Sequence, residues 1–548
     1  MKKIYATHMT SSDKGKAPSR VYSYYVLSLL MVIYAFNFLD RQIITILAPS
    51  LKEDLGLTDA QLGLLFGTAF ALFYALFGIP LAKLADGWHR VKTISLALTV
   101  WSGMTAVSGF SANFAQLGAA RVGVGIGEAA AGPAAYSLVQ DYFPKKERAT
   151  AIAFYSSGIY IGVGASLIFG GLVIDYWALN YTAETQPFGL AGWQATFLAF
   201  GIPGLVLALL MRLTVKEPVR GFYDEVKGED DPHPFRSVWK QMSAMFPPMS
   251  MIGLARIAKD KKPFLLNIAV AILAILAAYA MIAWTDGLLP AEKKMPITTI
   301  GSIQITTNFV QWAAMAIAIY CSFSWMQSIR RSDAPTASLI ANKNFAMLSL
   351  VGGMASFASY GLSPFIFLYA AQEFGVGPNA GITLGAILAV SGGLGTIAGG
   401  MISDKMKMIH PSGRLYFVIA ALCFAAIATY FQLTTSSLTI YYTLLGASNF
   451  FLIMWLAPVG ATCQDLVIPR MRGTATAVFF LGTNIIGLGL GPFVVGLVSD
   501  VTGSLQTAML TVLAVYPIAI ILLLTVGRAL PEMEATVTDR ARAAGEAI

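Results

Sequence analysis

The segment QDYFPKKERATAIAFYSSG at residues 140–158 recurs without gaps as QDLVIPRMRGTATAVFFLG at residues 464–482. The two copies share Gln, Asp, Arg, Thr, two Ala and Gly. A second pair, LADGWHRVK at residues 84–92 and GGMISDKMK at residues 399–407, repeats an Asp that is followed by basic residues. Two recurrences in the same order indicate that the chain consists of two equivalent halves.

The composition places both halves in a membrane. The 548 residues include 56% hydrophobic and 12% charged side chains, and the mean hydropathy is +0.66, which is too apolar for a soluble globular protein. A membrane-spanning helix needs about 20 mostly apolar residues, and the sequence contains fourteen such runs. The 324-residue offset between the repeats is too long for six spans, so the runs at 263–285 and 305–328 are interpreted as an insertion. We therefore predict an all-α polytopic membrane protein with two six-helix bundles and two extra helices between them, fourteen transmembrane helices in all.

Loop charges and run boundaries predict the organisation along the chain. Lys and Arg are concentrated in the loops of one side, which by the positive-inside rule places both termini in the cytoplasm. The expected segments are a cytoplasmic tail (1–21), an N-terminal six-helix bundle (22–215), a cytoplasmic loop (216–262), two inserted transmembrane helices with a linker (263–343), a C-terminal six-helix bundle (344–528) and a second cytoplasmic tail (529–548).

The cytoplasmic loop carries an acidic stretch at residues 224–231 and then a set of apolar residues at helical spacing. This set predicts an interfacial amphipathic helix, with a partner-binding helix as the alternative. Its members are Phe235, Val238, Trp239, Met242 and Met245.

Several functional classes are disfavoured. The net charge of +8 is spread over short loops, so no nucleic-acid partner is expected. Cys321, Cys423 and Cys463 fall in apolar runs, which indicates packing rather than a disulfide framework. The four histidines lack metal-ligand spacing, and neither a Walker sequence nor a nucleophile with its base is visible. We therefore expect no metal, no cofactor and neither enzymatic activity nor ATP-driven pumping.

Four charged residues at membrane depth are the main clue to function. Asp40 and Arg41 are the only charged residues of the first apolar run, and Arg121 and Glu128 are the only ones of the fourth. A charged side chain near the bilayer centre costs roughly 2.5 to 3.5 kcal/mol on insertion scales, and such residues usually face a substrate pathway or a proton relay.

The sequences around these charges resemble a known family. FNFLDRQ at residues 36–42, together with RVGVGIGEAAAGP at residues 121–133, is similar to the spinster-like branch of the major facilitator superfamily. GIPLAKLADGWHRVK at residues 78–92 looks like the superfamily's loop motif between its second and third spans. The resemblance implies the major facilitator fold and a secondary transporter of lysolipids or sphingolipids.

Carried over by position, the resemblance makes Asp40 and Glu128 the protonatable pair, with Arg41 and Arg121 as cationic partners. Arg121 and Glu128 are seven residues apart and project from nearly the same helix face, and Asn37 lies one turn before Asp40 and Arg41. Arg41 suits an anionic head group because its planar fork grips phosphate or carboxylate. The alternative is permanent ion pairing that locks the first bundle, and for Arg121 this alternative is as well supported as substrate binding.

The spans of the second half carry no charge at mid-membrane, so only neutral groups can contribute there. Tyr360, Asn449 and Trp455 are the candidate substrate contacts, with helix packing as the alternative. A cavity that is charged on one wall and apolar on the other favours an amphiphilic substrate.

The recurring Asp and basic residues predict cytoplasmic charge latches that favour one facing of the cavity. Asp86 would pair with Arg90, and Asp404 with Lys405 or Arg414. Solvated loop charges are the alternative, because exposed pairs contribute little individually.

The function predicted from these features is secondary active transport by alternating access. The transporter is expected to reside in the cell (inner) membrane as a monomer and to couple protons to an amphiphilic or anionic lipid such as a lysophospholipid or sphingoid lipid. The alternatives are a proton-coupled carrier of small organic anions or drugs and, from another class, a non-transporting membrane receptor or scaffold.

Overall fold

The computed structural model describes residues 18–223, 231–257, 261–294, 296–301 and 303–546. Most of the expected tail at residues 1–21 and of the acidic stretch at residues 224–231 lies outside these ranges. Within them the chain is α-helical apart from loops, short 3-10 segments, one π segment and a two-stranded hairpin. The predicted all-α class is therefore confirmed.

The first half begins with a long helix whose two ends are both capped. The Ser19 hydroxyl accepts a hydrogen bond from the backbone N–H of Tyr22, and Gly56 adopts the left-handed conformation that ends the helix. The helices of this half, in chain order, are α1 (Arg20–Leu55), α2 (Asp59–Phe66), α3 (Thr68–Gly87), α4 (Arg90–Ser108), α5 (Phe114–Glu128), α6 (Ala131–Tyr142), α7 (Arg148–Ser156), α8 (Gly158–Asn180) and α9 (Gly192–Thr214), with a 3-10 segment (Pro187–Gly189) before α9.

The middle of the chain forms two short helices, two long helices and a hairpin. A helix occupies the segment with the apolar set of the cytoplasmic loop, and its residues Phe235 and Trp239 are exposed whereas Met245 is buried. The elements are α10 (Pro234–Met245), α11 (Met249–Ile257), α12 (Lys262–Leu288), a 3-10 segment (Ala291–Lys293), strand β1 (Thr298–Ile300) antiparallel to strand β2 (Ile303–Ile305), α13 (Thr307–Ser332) and α14 (Ala334–Ile340).

The second half repeats the helical pattern of the first. Its helices are α15 (Lys343–Leu362), α16 (Ile366–Phe374), α17 (Ala380–Ile409), α18 (Gly413–Thr434), α19 (Leu438–Ile453), α20 (Leu456–Asp465), α21 (Arg472–Thr483), α22 (Gly489–Thr502), α23 (Leu505–Thr511), α24 (Val515–Ala535) and α25 (Val537–Ala543). Short segments interrupt them: the 3-10 turns Ser363–Phe365, Pro469–Met471 and Val512–Ala514 and the π segment Asn484–Leu488.

Twelve helices in the described ranges are long and apolar enough to cross a membrane, and α12 and α13 are among them. Helix α4 and the consecutive helices α5 and α6 are not among the twelve, although they pack inside the first half. Helix α5 carries Arg121 and Glu128, which lower its mean hydropathy. The expected count of fourteen crossings therefore stays a prediction.

The helices define two ends of the molecule. At one end α1 begins and α9 ends, and the Tyr22 hydroxyl donates to the Thr214 carbonyl at 2.8 Å. At the other end Trp193 Nε1 donates to the Asp54 carboxylate at 2.7 Å. We call the first the basic end and the second the far end. The basic end carries most of the loop cations, which are Lys83, Lys92, Lys145, Lys146, Arg330, Arg331, Lys405, Lys407, Arg414, Arg470 and Arg472.

The two halves meet in two seams. In one seam α2 and α3 pack against α22 and the π segment, and in the other α8 packs against α17. The helices in both seams approach so closely that a glycine is needed at each contact. A Cβ atom on Gly63 would lie 2.2 Å from the carbonyl oxygen of Pro492, and a Cβ atom on Gly381 would lie 2.4 Å from the carbonyl oxygen of Leu167. Both contacts belong to the far end, so the halves are held together there.

Gly381→Ala tests the seam between α8 and α17. The added Cβ has no room against the Leu167 backbone, so we expect a loss of about 1 to 3 kcal/mol, the usual range for overpacking. The measurement is the apparent melting temperature of the purified protein in detergent. Gly400→Ala, on the same helix with nothing within 4 Å of its Cβ, is the matched control. Its melting temperature should stay the same or rise, and equal losses in the two variants would contradict the seam.

Candidate functional site

The centre of the candidate site is an ion pair between α1 and α5. Arg41 Nη2 lies 2.9 Å from Glu128 Oε2, and the two side chains are 4% and 0% exposed. Arg41 Nη2 also reaches Asn37 Oδ1 at 3.5 Å. Glu128 Oε1 accepts no hydrogen bond from any residue that the structure describes. The pair therefore leaves one carboxylate oxygen without a partner.

Aromatic rings enclose the guanidinium of Arg41. Its Cζ atom lies 4.5 Å from the ring centroid of Phe70, 4.7 Å from that of Phe38 and 4.8 Å from that of Tyr74. Aromatic faces at these distances attract a cation and also exclude water from it. The rings therefore stabilise the positive charge of Arg41 whether or not Glu128 is ionised.

Arg121 anchors the backbone of α1. Its Nη1 donates to the carbonyl of Asp40 at 2.9 Å, its Nη2 lies 3.4 Å from that of Arg41, and the side chain is fully buried. Arg121 and Glu128 thus face α1 from one side of α5. Arg121 holds the helix that carries the ion pair, and Glu128 forms the pair itself.

Asp40 is buried in the first half, close enough to Glu128 and Arg121 to interact with them electrostatically. Both of its carboxylate oxygens are buried, and neither accepts a hydrogen bond from the described part of the chain. Trp101 and Thr105 of α4 face this carboxyl, and Trp101 Nε1 and Thr105 Oγ1 also lack partners there. Asp40 is thus a buried acid beside two unused donors.

The three second-half candidates lie in different surroundings. Tyr360 is half-buried and close enough to Arg41 and Tyr34 to interact electrostatically. Asn449 Nδ2 instead donates to Ser391 Oγ at 2.7 Å, and Trp455 is buried with its ring 6.5 Å from that of Phe479. Among these candidates only Tyr360 is brought to the Arg41 side of the molecule, because Asn449 and Trp455 join helices of the second half.

Sequence reasoning missed a tyrosine cluster beside the ion pair. The rings of Tyr34 and Tyr155 stack at 4.4 Å, and Tyr136 packs edge-on against Tyr155 at 5.4 Å. Next to them is a cavity of about 10 Å³, room for one water molecule, and its lining includes Tyr34, Asn37 and Tyr155. Tyr34 lies three residues before Asn37 and seven before Arg41, so helical periodicity is the signal that places it on their face.

The expected charge latches have partners within single halves. Arg90 is buried, donates to Glu217 at 2.7 Å and forms a short ion pair with Asp141. The side chain of Asp86, its expected partner, lies outside the described part of the structure. In the second half Arg414 pairs with Asp404 at 2.6 Å and with Asp465 at 2.8 Å.

Lys405 is exposed and pairs with no described residue, so Arg414 is the partner of Asp404. Asp141 and Asp465 occupy equivalent positions of the 140–158 repeat. Each copy of the repeat thus contributes the Asp of one Arg–Asp pair to its half. The Asp that the two copies share is the feature of the sequence that could have predicted these pairs.

A third ion cluster ties the C-terminal segment to the basic end. Arg470 pairs with Asp333 at 2.8 Å and also contacts Glu546. The hydrogen bonds from Arg470 lower the pKa of Asp333 to about 2. This folded-state pKa lies below the ordinary value of about 3.9. The contribution of the ionised Asp333 to the free energy of unfolding is therefore present above pH 4 and is lost as the pH falls towards 2.

Comparison with known families matches residues 30–323 to the Major Facilitator Superfamily. An MFS-type efflux pump of Mycolicibacterium smegmatis is 24% identical over 478 residues, which cover 86% of this chain and 84% of the pump. A probable galactarate/D-glucarate transporter of Bacillus subtilis is 31% identical over 224 residues, 40% of this chain and 45% of that protein.

Among solved structures, a bacterial homologue of the human lysosomal transporter Spinster, inward-facing and unoccupied, shares 26% identity. It superposes with a TM-score of 0.67 and covers 94% of this chain and 99% of its own. The fold and the buried charges define a secondary transporter, and the chain belongs to the Major Facilitator Superfamily. Within it the likeness is to the spinster-like branch.

The Arg41–Glu128 pair is testable as a double-mutant cycle. Breaking a buried pair by removing one partner costs about 3 to 5 kcal/mol, because the other charge stays buried without compensation. We therefore expect Arg41→Met and Glu128→Gln each to lower the melting temperature strongly, and the double variant to be more stable than either. Additive losses in the cycle would show that the two side chains act independently.

Arg90 and Arg470 form a matched comparison of buried and exposed ion pairs. Arg90→Met leaves Asp141 and Glu217 without their cation, and we expect a loss of about 3 to 5 kcal/mol. Arg470→Met breaks a pair whose arginine is 46% exposed, so at most about 1 kcal/mol is expected. Thermal unfolding in detergent measures both losses of stability. A larger loss for Arg470→Met than for Arg90→Met would contradict the assignment of Arg90 as the stronger, buried pair.

Proposed function

We propose that this secondary transporter couples protons to the movement of an amphiphilic or anionic lipid, such as a lysophospholipid or sphingoid lipid. The observation that carries the proposal is the buried Arg41–Glu128 pair within its aromatic enclosure. Such a pair offers a cation for an acidic head group and a carboxylate that competes for the same cation.

Competition for Arg41 supplies the coupling. While Glu128 is ionised it occupies the guanidinium, so an anionic substrate meets a neutral pair. A proton bound to Glu128, at the unpartnered Oε1, removes the negative charge and leaves the guanidinium free for the substrate anion. When the substrate leaves, Glu128 returns its proton and pairs with Arg41 again. Proton and anion therefore bind together and leave together.

Asp40 is the second proposed proton site. An ionised carboxylate that is buried without hydrogen bonds is costly, and a proton removes that cost. Arg121 keeps the Asp40 segment of α1 in place through the backbone, so the position of the acid does not depend on its charge. The role proposed for Arg121 is accordingly positioning the helix, while Arg41, Asn37 and Tyr360 contact the substrate.

The apolar character of the surroundings supports an amphiphile. Phe38, Phe70 and Tyr74 pack around the cation, and the opposing second half carries no charge at mid-membrane. The resemblance to the spinster-like branch implies a lysolipid or sphingolipid and so supports a lipid substrate. A small organic anion is the second candidate, because several partial relatives are named as sugar-acid transporters.

The proposed facing follows from the seams and the charges. The halves are joined at the far end, so the cavity between them opens towards the basic end. The excess of Lys and Arg supports a cytoplasmic position for that end, where α1 begins. The charge pairs at the basic end stay within single halves in this facing and are proposed to exchange partners across the halves in the other.

Uptake into proteoliposomes tests the coupling. Labelled lysophosphatidylglycerol should cross the membrane at a rate that responds to an imposed pH gradient, and Glu128→Gln should abolish that response. The matched control is Glu373→Gln, an exposed glutamate on α16, which should behave as the unmodified protein. A pH response that survives Glu128→Gln rules out the coupling role of Glu128.

The same assay separates the substrate classes. If labelled glucarate crosses and the lysolipid does not, the organic-anion carrier is the correct function. If both bind and neither crosses, the chain acts as a receptor or scaffold and the transport proposal fails.

A further inference from the structure

The inserted helix α13 lies along one of the two seams between the halves. Near the far end Val310 and Trp312 pack on a cluster that joins α2 with α22, including Ala60, Leu64 and Phe493. Towards the basic end, other residues of α13 pack on a second cluster shared by α3, α10, α14 and α21. That cluster includes Leu72, Leu76, Met245, Ala318, Cys321, Trp325, Ala337 and Leu481. Helix α13 therefore contacts both halves along most of its length.

A buried hydrogen-bond node connects α13 to both halves at once. Gln311 of α13 is fully buried, and its Oε1 accepts from the Thr68 hydroxyl of α3 at 2.5 Å. Its Nε2 donates to the carbonyl of Gly489 in α22 at 3.1 Å. The Thr68 oxygen also lies 2.5 Å from the Gly489 carbonyl, so the single hydroxyl hydrogen is shared between two acceptors. One glutamine thus bridges the first half and the second half.

The carbonyl that Gln311 holds belongs to an irregular part of its helix. Gly489 directly follows the π segment Asn484–Leu488 and precedes Pro492, which cannot donate a backbone hydrogen bond. Helices kink at π segments and prolines, and such places often act as hinges. Gln311 therefore binds the second half at the point where its helix can bend.

A second set of contacts lies at the far end of the same seam. The Asp500 carboxylate of α22 accepts from the backbone N–H groups of Asp59 at 3.2 Å and Ala60 at 2.8 Å, at the start of α2. The loop between the inserted helices adds Lys293, 3.6 Å from Asp500. Ser499 donates to the Asp59 carboxylate at 2.6 Å. The insertion thus reaches the contact between the halves twice, at Gln311 and at Lys293.

The inserted pair is itself tied together, so it acts as one body. Trp312 Nε1 donates to Thr285 at 3.2 Å, and Asn308 donates to Asp286 at 2.6 Å. Near the basic end Asn267 donates to Gln327 at 2.6 Å. Because this body contacts both halves along the seam, it cannot follow both when they separate there.

We infer that the inserted helix pair is a lock on the far-end gate. Gln311 and Lys293 hold α2 and α3 of the first half against α22 of the second, and the far end opens only after the Gln311 bridge breaks. The insertion thereby stabilises the facing in which the cavity opens at the basic end. This role is independent of which substrate is carried.

Distance measurements between spin labels at the far end test the lock. Glu53→Cys on α1 and Gln372→Cys on α16 place one exposed label on each half, in a Cys423→Ser background because Cys423 is the exposed native thiol. Gln311→Leu keeps the side-chain size and removes the bridge. We expect it to shift the ratio of closed to open far ends by roughly tenfold, the effect of about 1.4 kcal/mol from a buried hydrogen bond.

Gln327→Leu is the matched control. Among the described residues the Gln327 side chain bonds to Asn267 and Pro263 of the inserted pair, and the two other ties of the pair remain. It should leave the distances unchanged. If Gln311→Leu does not fold, Lys293→Met removes the other contact of the insertion with the second half, at Asp500, and should shift the ratio in the same direction. Distances that match the unmodified protein, or an equal shift in Gln327→Leu, would overturn the lock. No substrate is added, so this outcome is separate from the uptake result.

Discussion

The buried Arg41–Glu128 ion pair is the interaction on which the rest of the site depends. Two charges removed from water require a close partner each, and the structure supplies it at 2.9 Å across α1 and α5. The aromatic rings around the guanidinium and the Arg121 bonds to the α1 backbone keep the two helices in register. A charge pair that is this well enclosed responds strongly to a proton or to a competing anion, because the low dielectric does not screen the change.

The halves and the insertion form three bodies rather than two. Glycine contacts bring the halves together at the far end, and α13 covers one of the two seams. In the described part of the chain the other seam, between α8 and α17, has no comparable cover from the insertion. In the proposed transport cycle, rocking of the halves would rearrange one seam against a third body. This asymmetry distinguishes the chain from a simple two-bundle transporter and is the basis of the mechanical role inferred for the inserted helices.

Much of the fold was readable from the repeat at residues 140–158 and 464–482. In each copy a helix ends close to the shared Asp and the next helix begins at the shared Arg, at Arg148 and at Arg472. The seven-residue spacing of Arg121 and Glu128 likewise anticipated two side chains on one face of α5. The spacing left open which arginine pairs with Glu128, because Arg41 and Arg121 are equally plausible partners until the distance between α1 and α5 is known.

The sequence by itself determined the membrane environment, the two related halves and the residues that carry charge at membrane depth, because hydropathy and repetition are properties of a linear pattern. Only the tertiary structure decided the partners of Arg41 and Glu128, the contacts of Asn449 and Trp455, and the position of the insertion in a seam. These features depend on distances between residues far apart in the chain, such as Thr68, Gln311 and Gly489. Local periodicity carries no information about such distances.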